Sequence, residues 1–241
     1  MKLYVVGFGC GSRSGMTIEA ETAIEKSSLI VGYTVYTEII KNFFPDKKII
    51  STGMRHERER VKIALEEAKR QTVALVCSGD SVVYGMAGLA LEMSVDYPDV
   101  DVEVVSGVTS AISGSSILGS PITCDFAVIS LSDLLTPAEK IIRRIEYATK
   151  ADFTLVFYNP SSKNRAYYLK KACNIILESR PPETVCGFVR NIGRNGQESR
   201  ILTLAQLRET QVDMFTTVFI GNSETVVING KMVTPRGYRN G

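Results

Sequence analysis

Three short segments hold residues whose types and spacing could do chemistry. Gly7-Phe8-Gly9-Cys10-Gly11 follows a short apolar run. Glycines at such a point can bring backbone N–H groups and a helix N-terminus close to an anion. A dinucleotide site would need Gly-x-Gly-x-x-Gly and an acidic residue after the second strand. Here the spacing is Gly-x-Gly-x-Gly, and the second apolar run ends in Gly32-Tyr33, which favours a plain tight turn. Ser78-Gly79-Asp80 ends the apolar run 73–77, at the carboxyl end of an expected parallel strand, where α/β sheets place ligands. Asp80 could accept hydrogen bonds from ribose hydroxyls or attract a cation; as a cap for the next helix it would do neither. Asp133, within Ser130-Leu131-Ser132-Asp133-Leu134-Leu135-Thr136-Pro137, is a candidate acid or base, with a capping role as the equal alternative.

Arginines could grip carboxylates in a bidentate manner. They gather at Arg55, Arg58 and Arg60 around His56, at Arg190, Arg194 and Arg200 among Gly193 and Gly196, and at Arg236 and Arg239; Lys163 and Arg165 follow Asn159-Pro160. The first group could equally be a solvated helix face diluted by Glu57 and Glu59. The 190–200 loop is the better substrate candidate, since its glycines suggest mobility beside a strand end. His56, the single histidine, reads as a solvated side chain rather than a base or metal ligand. Cys77 reads as a small buried hydrophobe. Cys10, on the glycine loop, is either a reactive thiol or a filler.

The elements that must position these residues alternate along the first half. Strands are predicted at 3–7, 29–32, 48–51, 73–77 and 102–105. Helices are predicted at 17–26 with Thr17 as cap, through Ile39 and Ile40, at 57–70, from Ser78-Gly79-Asp80 onward, and through Leu118. Such alternation argues for a mostly parallel sheet with flanking helices. Gly119-Ser120-Pro121 is the candidate boundary, giving an N-terminal α/β domain at 1–119 and a C-terminal α/β domain with a mixed sheet at 120–241. The second half predicts strands at 126–130, 153–157, 184–190 and 217–220. Helices are expected at 137–149 and through Leu169 and Leu177. A hairpin closes on Asn229-Gly230, the sequence that favours a type I′ turn.

The 241 residues are 44% apolar and 22% charged with a net charge of +2, which fits a globular protein and offers nucleic acid no general attraction. No apolar stretch reaches the roughly 20 residues of a membrane span, and the first apolar run is too short for a signal-peptide core. Five cysteines without Cys-x-x-Cys spacing argue against a disulfide framework or structural zinc, and for a reducing, cytoplasmic setting. No metal is expected.

Taken together, the landmarks resemble the tetrapyrrole methylase family, whose methyl donor is S-adenosylmethionine. Gly7-Phe8-Gly9-Cys10-Gly11 is similar to its Gly-x-Gly-Pro-Gly motif, with cysteine in place of proline. Ser78-Gly79-Asp80-Ser81-Val82-Val83-Tyr84-Gly85 looks like its Ser-Gly-Asp-x-x-x-Tyr-Gly segment. Ser106-Gly107-Val108-Thr109-Ser110-Ala111 looks like its Pro-Gly-x-Thr/Ser-Ser/Ala segment, with Ser106 in place of proline. The 130–137 segment, Phe157-Tyr158-Asn159-Pro160 and Thr234-Pro235-Arg236-Gly237-Tyr238 resemble the branch that methylates precorrin-3B or cobalt-factor III at ring carbon 17 and contracts the macrocycle. The resemblance implies a donor site at Gly79, Asp80, Val83, Thr109, Ser110, Asn159, Leu202 and Thr234. It also implies an active site in a cleft between two α/β domains, a tetrapyrrole substrate, and a homodimer. Arg190, Arg194 and Arg236 are the candidate substrate contacts. Methylation of another precorrin carbon, a nucleotide-binding protein without catalysis, and a tetrapyrrole carrier remain the alternatives.

Overall fold

The computed structural model describes residues 1–162 and 166–238. Lys163, Arg165 and Arg239 lie outside the described residues. The chain divides into two units, Met1–Ser110 and Ala111–Gly241.

In the first unit the short aliphatic runs become parallel strands β1 (Lys2–Gly7), β2 (Leu29–Tyr33), β3 (Lys48–Thr52), β4 (Val73–Cys77) and β5 (Asp101–Val105). Their order is β3-β2-β4-β1-β5. Parallel neighbours cannot be joined by a tight hairpin, so each link crosses over. The crossovers are helices α1 (Ile18–Lys26), α2 (Thr34–Phe43), α3 (Glu57–Ala68) and α4 (Ala87–Ser94). Thr17 caps α1, its Oγ1 accepting the Ala20 N–H at 3.1 Å.

Both faces of the sheet are covered, which is why its strands are almost continuously apolar. Leu3, Val5 and Leu75 face Val61, Leu65, Ala87 and Ala90 of α3 and α4. Tyr4, Val6 and Ile30 face Ala20, Ile24 and Ile40 of α1 and α2. Leu3, Val5 and Val6 are fully buried, and each such side chain contributes roughly 1.5–3 kcal/mol. The chain therefore leaves β1 toward one face and the adjacent β4 toward the other. Loops that part in this way open a crevice at the carboxyl ends of the strands.

One boundary differs from expectation. The helix predicted to begin at Ser78-Gly79-Asp80 begins only at Ala87. Residues 78–86 form a loop instead, since Tyr84 has a φ of 53°, in the left-handed region that an α-helix does not enter.

The second unit carries α5 (Ser110–Leu118), β6 (Gly119–Ser120), β7 (Phe126–Ser130), α6 (Ala138–Lys150), β8 (Thr154–Tyr158) and α7 (Tyr168–Leu177). Then follow β9 (Val185–Arg190), β10 (Glu198–Thr203), α8 (Leu204–Arg208), β11 (Thr216–Ile220), β12 (Val226–Ile228) and β13 (Lys231–Val233). The larger sheet runs β10-β9-β11-β8-β7, with β7 and β8 parallel and the β9, β10 and β11 pairings antiparallel. The mixed sheet was expected, but β10 and α8 were not. Ile141 and Ile145 of α6 pack with Leu169, Ala172, Cys173 and Ile176 of α7 on this sheet, at the i, i+3, i+4, i+7 spacing of one helix face. Asn229 and Gly230 have φ of 49° and 74°, the pair of positive values that a type I′ hairpin requires.

Candidate active site

At the carboxyl ends of β1, β4 and β5, three loops lock together through their main chains. Gly9 and Gly79 exchange hydrogen bonds, N to O at 3.0 and 2.7 Å, and Phe8 N donates to Cys77 O at 3.0 Å. Only glycine fits at Gly107, where a Cβ would lie 2.2 Å from Gly7 O and 2.3 Å from Gly79 O. Gly79 has a φ of +72° and faces Thr109 and Ser110, its own Cβ position 3.7 Å from Ser110 N. The structure thus brings together Gly79, Asp80, Thr109 and Ser110 of the expected donor residues, with Val83 on the same loop.

Asp80 is the centre of this network. One carboxylate oxygen accepts the N–H groups of Val82 and Val83, each at 2.8 Å. The other accepts the Gly107 N–H at 2.9 Å. Burial pushes this carboxyl up, but the N–H groups of Gly107, Val83, Val82 and Ser81 outweigh it and hold the group below the usual aspartate value. Asp80 is not a helix cap, since α4 starts at Ala87, whose N–H goes to Ser81 O at 2.9 Å. Its side chain fastens the loop after β4 to the loop after β5.

This network decides what could bind. The N–H groups of Phe8, Gly9, Gly79, Val82, Val83 and Gly107 are taken by protein oxygens and so are not offered to a phosphate. The Asp80 carboxylate adds a negative charge that repels phosphate and attracts a cation. On the same loop, Val82, Val83 and Tyr84 are 64%, 37% and 55% exposed, an apolar surface held on a pinned backbone. The loop thus offers apolar contact beside one buried negative charge.

The expected residues of the second unit are placed as follows. Asn159, at the end of β8 with a φ of 52°, donates from Nδ2 to Ser130 Oγ at 2.9 Å. Leu202 lies on β10, buried and opposite Cys186, with β9 and β11 between it and β8. The buried Thr234 hydroxyl donates to Pro121 O at 2.6 Å and lies 2.8 Å from the Thr225 hydroxyl. The side chains of Leu202 and Thr234 are thus spent inside the unit, leaving main-chain atoms for any ligand. Asp133 does not cap α6; the cap position is Pro137, with no side-chain cap bond. Its carboxylate instead accepts the hydroxyl of Tyr168, a residue that sequence reasoning treated only as part of a helix.

The basic clusters separate. Arg60 is buried, contrary to both sequence readings. It donates to Thr52 Oγ1 and Gly53 O, each at 2.8 Å, and lies over the Tyr33 ring; burial lowers its pKa. Arg190 is held by Asp213 at 2.6 Å. Arg194 lies over Phe215, and the exposed Arg236 over Tyr238. The 190–200 segment is closed by main-chain bonds from Arg194 to Asn191 and from Gln197 to Arg194, and Arg200 stands on β10 opposite Phe188. Cys77 is buried, and burial pushes its thiol up to about 11. Cys10 Sγ lies 3.6 Å from Val108 O. Exposed His56 pairs with Glu59. Among the described residues no helix is long and apolar enough to cross a membrane, and no three His, Cys, Asp or Glu side chains gather as metal ligands would.

Residues 2–208 match the model of the tetrapyrrole (corrin/porphyrin) methylases. The chain belongs to that family. It is a methyltransferase with the α/β fold of its class. It is 48% identical over 240 residues to the cobalamin biosynthesis protein CbiHC of Archaeoglobus fulgidus, covering 99% of this chain and 53% of that protein. The chain thus spans about half the length of that relative. It is 44% identical to a Salmonella typhimurium protein named "Probable cobalt-factor III C(17)-methyltransferase", covering 98% of this chain and 99% of that one. The crystal structure of the methyltransferase CobJ is similar with a TM-score of 0.88 at 30% identity, covering 97% of this chain and 99% of that one.

Proposed function

We propose that this enzyme transfers a methyl group from S-adenosylmethionine to carbon 17 of a corrinoid precursor, precorrin-3B or cobalt-factor III. Contraction of the macrocycle would accompany the transfer, as a step of cobalamin biosynthesis. The observation that carries the donor assignment is the Asp80 network, which places a buried negative charge under a pinned loop whose Val82, Val83 and Tyr84 are exposed. The end-to-end similarity to the Salmonella protein supports the choice of acceptor.

The donor supplies an activated methyl group on a cationic sulfur, so displacement needs alignment and exclusion of water rather than an enzymic nucleophile. In this reading the interlocked loops hold Gly79, Thr109 and Ser110 at fixed positions against the adenosine and amino-acid parts. Asp80 sets the loop geometry and favours the positive sulfur electrostatically. Val83 offers apolar contact. Asn159 is the second unit's candidate contact. Arg194 and Arg236 are the arginines proposed to meet substrate carboxylates. The proposal extends to a cytoplasmic homodimer, for which light scattering on the purified protein is the direct check.

Calorimetric titration with S-adenosylhomocysteine, NAD and ATP tests the donor assignment. Binding of the first and not of the other two is expected. Binding of NAD or ATP without S-adenosylhomocysteine would favour a nucleotide-binding protein instead.

A further inference from the structure

In the second unit, β7 and α6 enclose a groove of about 750 Å³ that no proposed donor or substrate residue lines. Its lining follows from the period of α6. Ile141, Ile145 and Thr149 are buried, one helix face at i, i+4, i+8. The same period gathers Lys140, Arg143, Arg144 and Tyr147 on the other side of the helix, at i, i+3, i+4, i+7. These four residues are exposed and line the groove. Ala127 and Ile129 of β7, the edge strand of its sheet, give the groove an apolar wall. Tyr147, 63% exposed, adds an aromatic ring.

The three cations are not neutralised from within. Among the described residues Lys140, Arg143 and Arg144 form no ion pair and no side-chain hydrogen bond, whereas Arg13 and Arg190 are each held by a carboxylate. Glu139 is the one acidic residue lining the groove. Three positive charges beside an apolar wall match an occupant with several anionic groups on an apolar body. A second copy docked about a two-fold axis would set these cations against themselves, which is repulsive. A chain of net charge +2 offers nucleic acid little general attraction. A concave space of this size lies within the roughly 300–1,000 Å³ of small-molecule pockets, so it suits a small ligand better than a protein surface.

We propose that this groove is a second tetrapyrrole site, which holds one acceptor molecule apart from the site of methyl transfer. The inference rests on the reading of the acceptor as a tetrapyrrole. Such a molecule has a flat apolar macrocycle rimmed by acetate and propionate carboxylates. Its ring lies against Tyr147 and the β7 wall. The guanidinium groups of Arg143 and Arg144 take carboxylates in the bidentate manner, and Lys140 adds a point charge. Because these cations are exposed, salt screens the attraction, and the held molecule is released rather than trapped.

The test titrates cobalt-factor III or precorrin-3B, whichever the enzyme methylates, into protein saturated with S-adenosylhomocysteine, so that no turnover occurs. Bound macrocycle is counted by its absorbance. Wild type is compared with the double variants Arg143→Glu/Arg144→Glu and Arg143→Lys/Arg144→Lys, with a thermal midpoint for each. Wild type should bind two macrocycles per chain, and raised salt should weaken the second. The charge-reversed variant should bind one, its second Kd raised by at least about thirtyfold, with kcat and the tetrapyrrole KM of methylation unchanged. The lysine variant should keep the second macrocycle with a Kd raised by about three- to tenfold. One macrocycle per chain in wild type, or two in the charge-reversed variant, would overturn the proposal. So would a raised KM in that variant, which would make the groove the site of methyl transfer itself. A wild type that takes poly-glutamate at Arg143 and Arg144 but no second macrocycle would assign the groove to an acidic protein instead. If the charge-reversed variant does not fold, Tyr147→Ala decides by the same count. Methylation by a wild type that binds one macrocycle rejects this inference alone, whereas a wild type that neither binds nor methylates a tetrapyrrole rejects the function and the inference together.

Discussion

The Asp80 carboxylate accepts the Gly107 N–H at 2.9 Å and so ties the loop after β4 to the loop after β5. Removing it strands three buried or half-buried N–H groups. Asp80→Ala should therefore lower unfolding free energy by about 2–4 kcal/mol and weaken S-adenosylhomocysteine by roughly one to two decades. Denaturant unfolding and calorimetric titration read the two effects separately. A variant as stable as wild type would show that the carboxylate does not organise the loops.

The same group makes stability depend on pH. Its folded pKa is depressed, so its contribution is fully present above the unfolded value of about 3.9. It is lost as pH falls through the folded value. Wild type should lose unfolding free energy more steeply below about pH 4 than Asp80→Asn does. Parallel slopes for the two proteins would contradict this.

Much of the fold was legible because it follows from period. The runs at Leu3, Leu29 and Val73 read as buried strands, and Val61, Ala64, Leu65 and Ala68 trace one helix face. β10 was missed because Glu198, Ser199 and Arg200 are exposed and lack any alternating apolar signal. The helix start at Asp80 was misplaced for a local reason. Aspartate caps helices well, and Asp80 does accept the Val82 and Val83 N–H groups, but Tyr84 at a φ of 53° turns the chain out of the helical region, and the second oxygen goes to Gly107, 27 positions away. Arg60 had a readable signal that was passed over, since Arg60, Ala64 and Ala68 share an i, i+4, i+8 stripe pointing inward. The Asp133–Tyr168 pair spans 35 positions and has no local pattern at all.

Arg60 should prove structural. Arg60→Leu leaves Thr52 Oγ1 and Gly53 O without their donor and should destabilise the protein by roughly 2–3 kcal/mol. The KM for the tetrapyrrole should be unchanged in the folded fraction. A raised KM with wild-type stability would return Arg60 to the list of substrate contacts.

Arg194 is expected to behave oppositely. Its guanidinium lies over Phe215. Arg194→Ala should raise the tetrapyrrole KM by about tenfold or more and leave donor affinity alone. Steady-state kinetics with a donor titration checks this, and equal loss of both affinities would remove Arg194 from substrate binding.

The most direct measurement is incubation of the purified protein with cobalt-factor III and, separately, precorrin-3B, with and without S-adenosylmethionine, followed by mass and spectrum. The account predicts a donor-dependent product carrying one additional methyl group at carbon 17, with the spectral change of a contracted ring, from at least one of the two substrates. A methyl group at another carbon, or macrocycle binding with no donor-dependent change in mass, would contradict it.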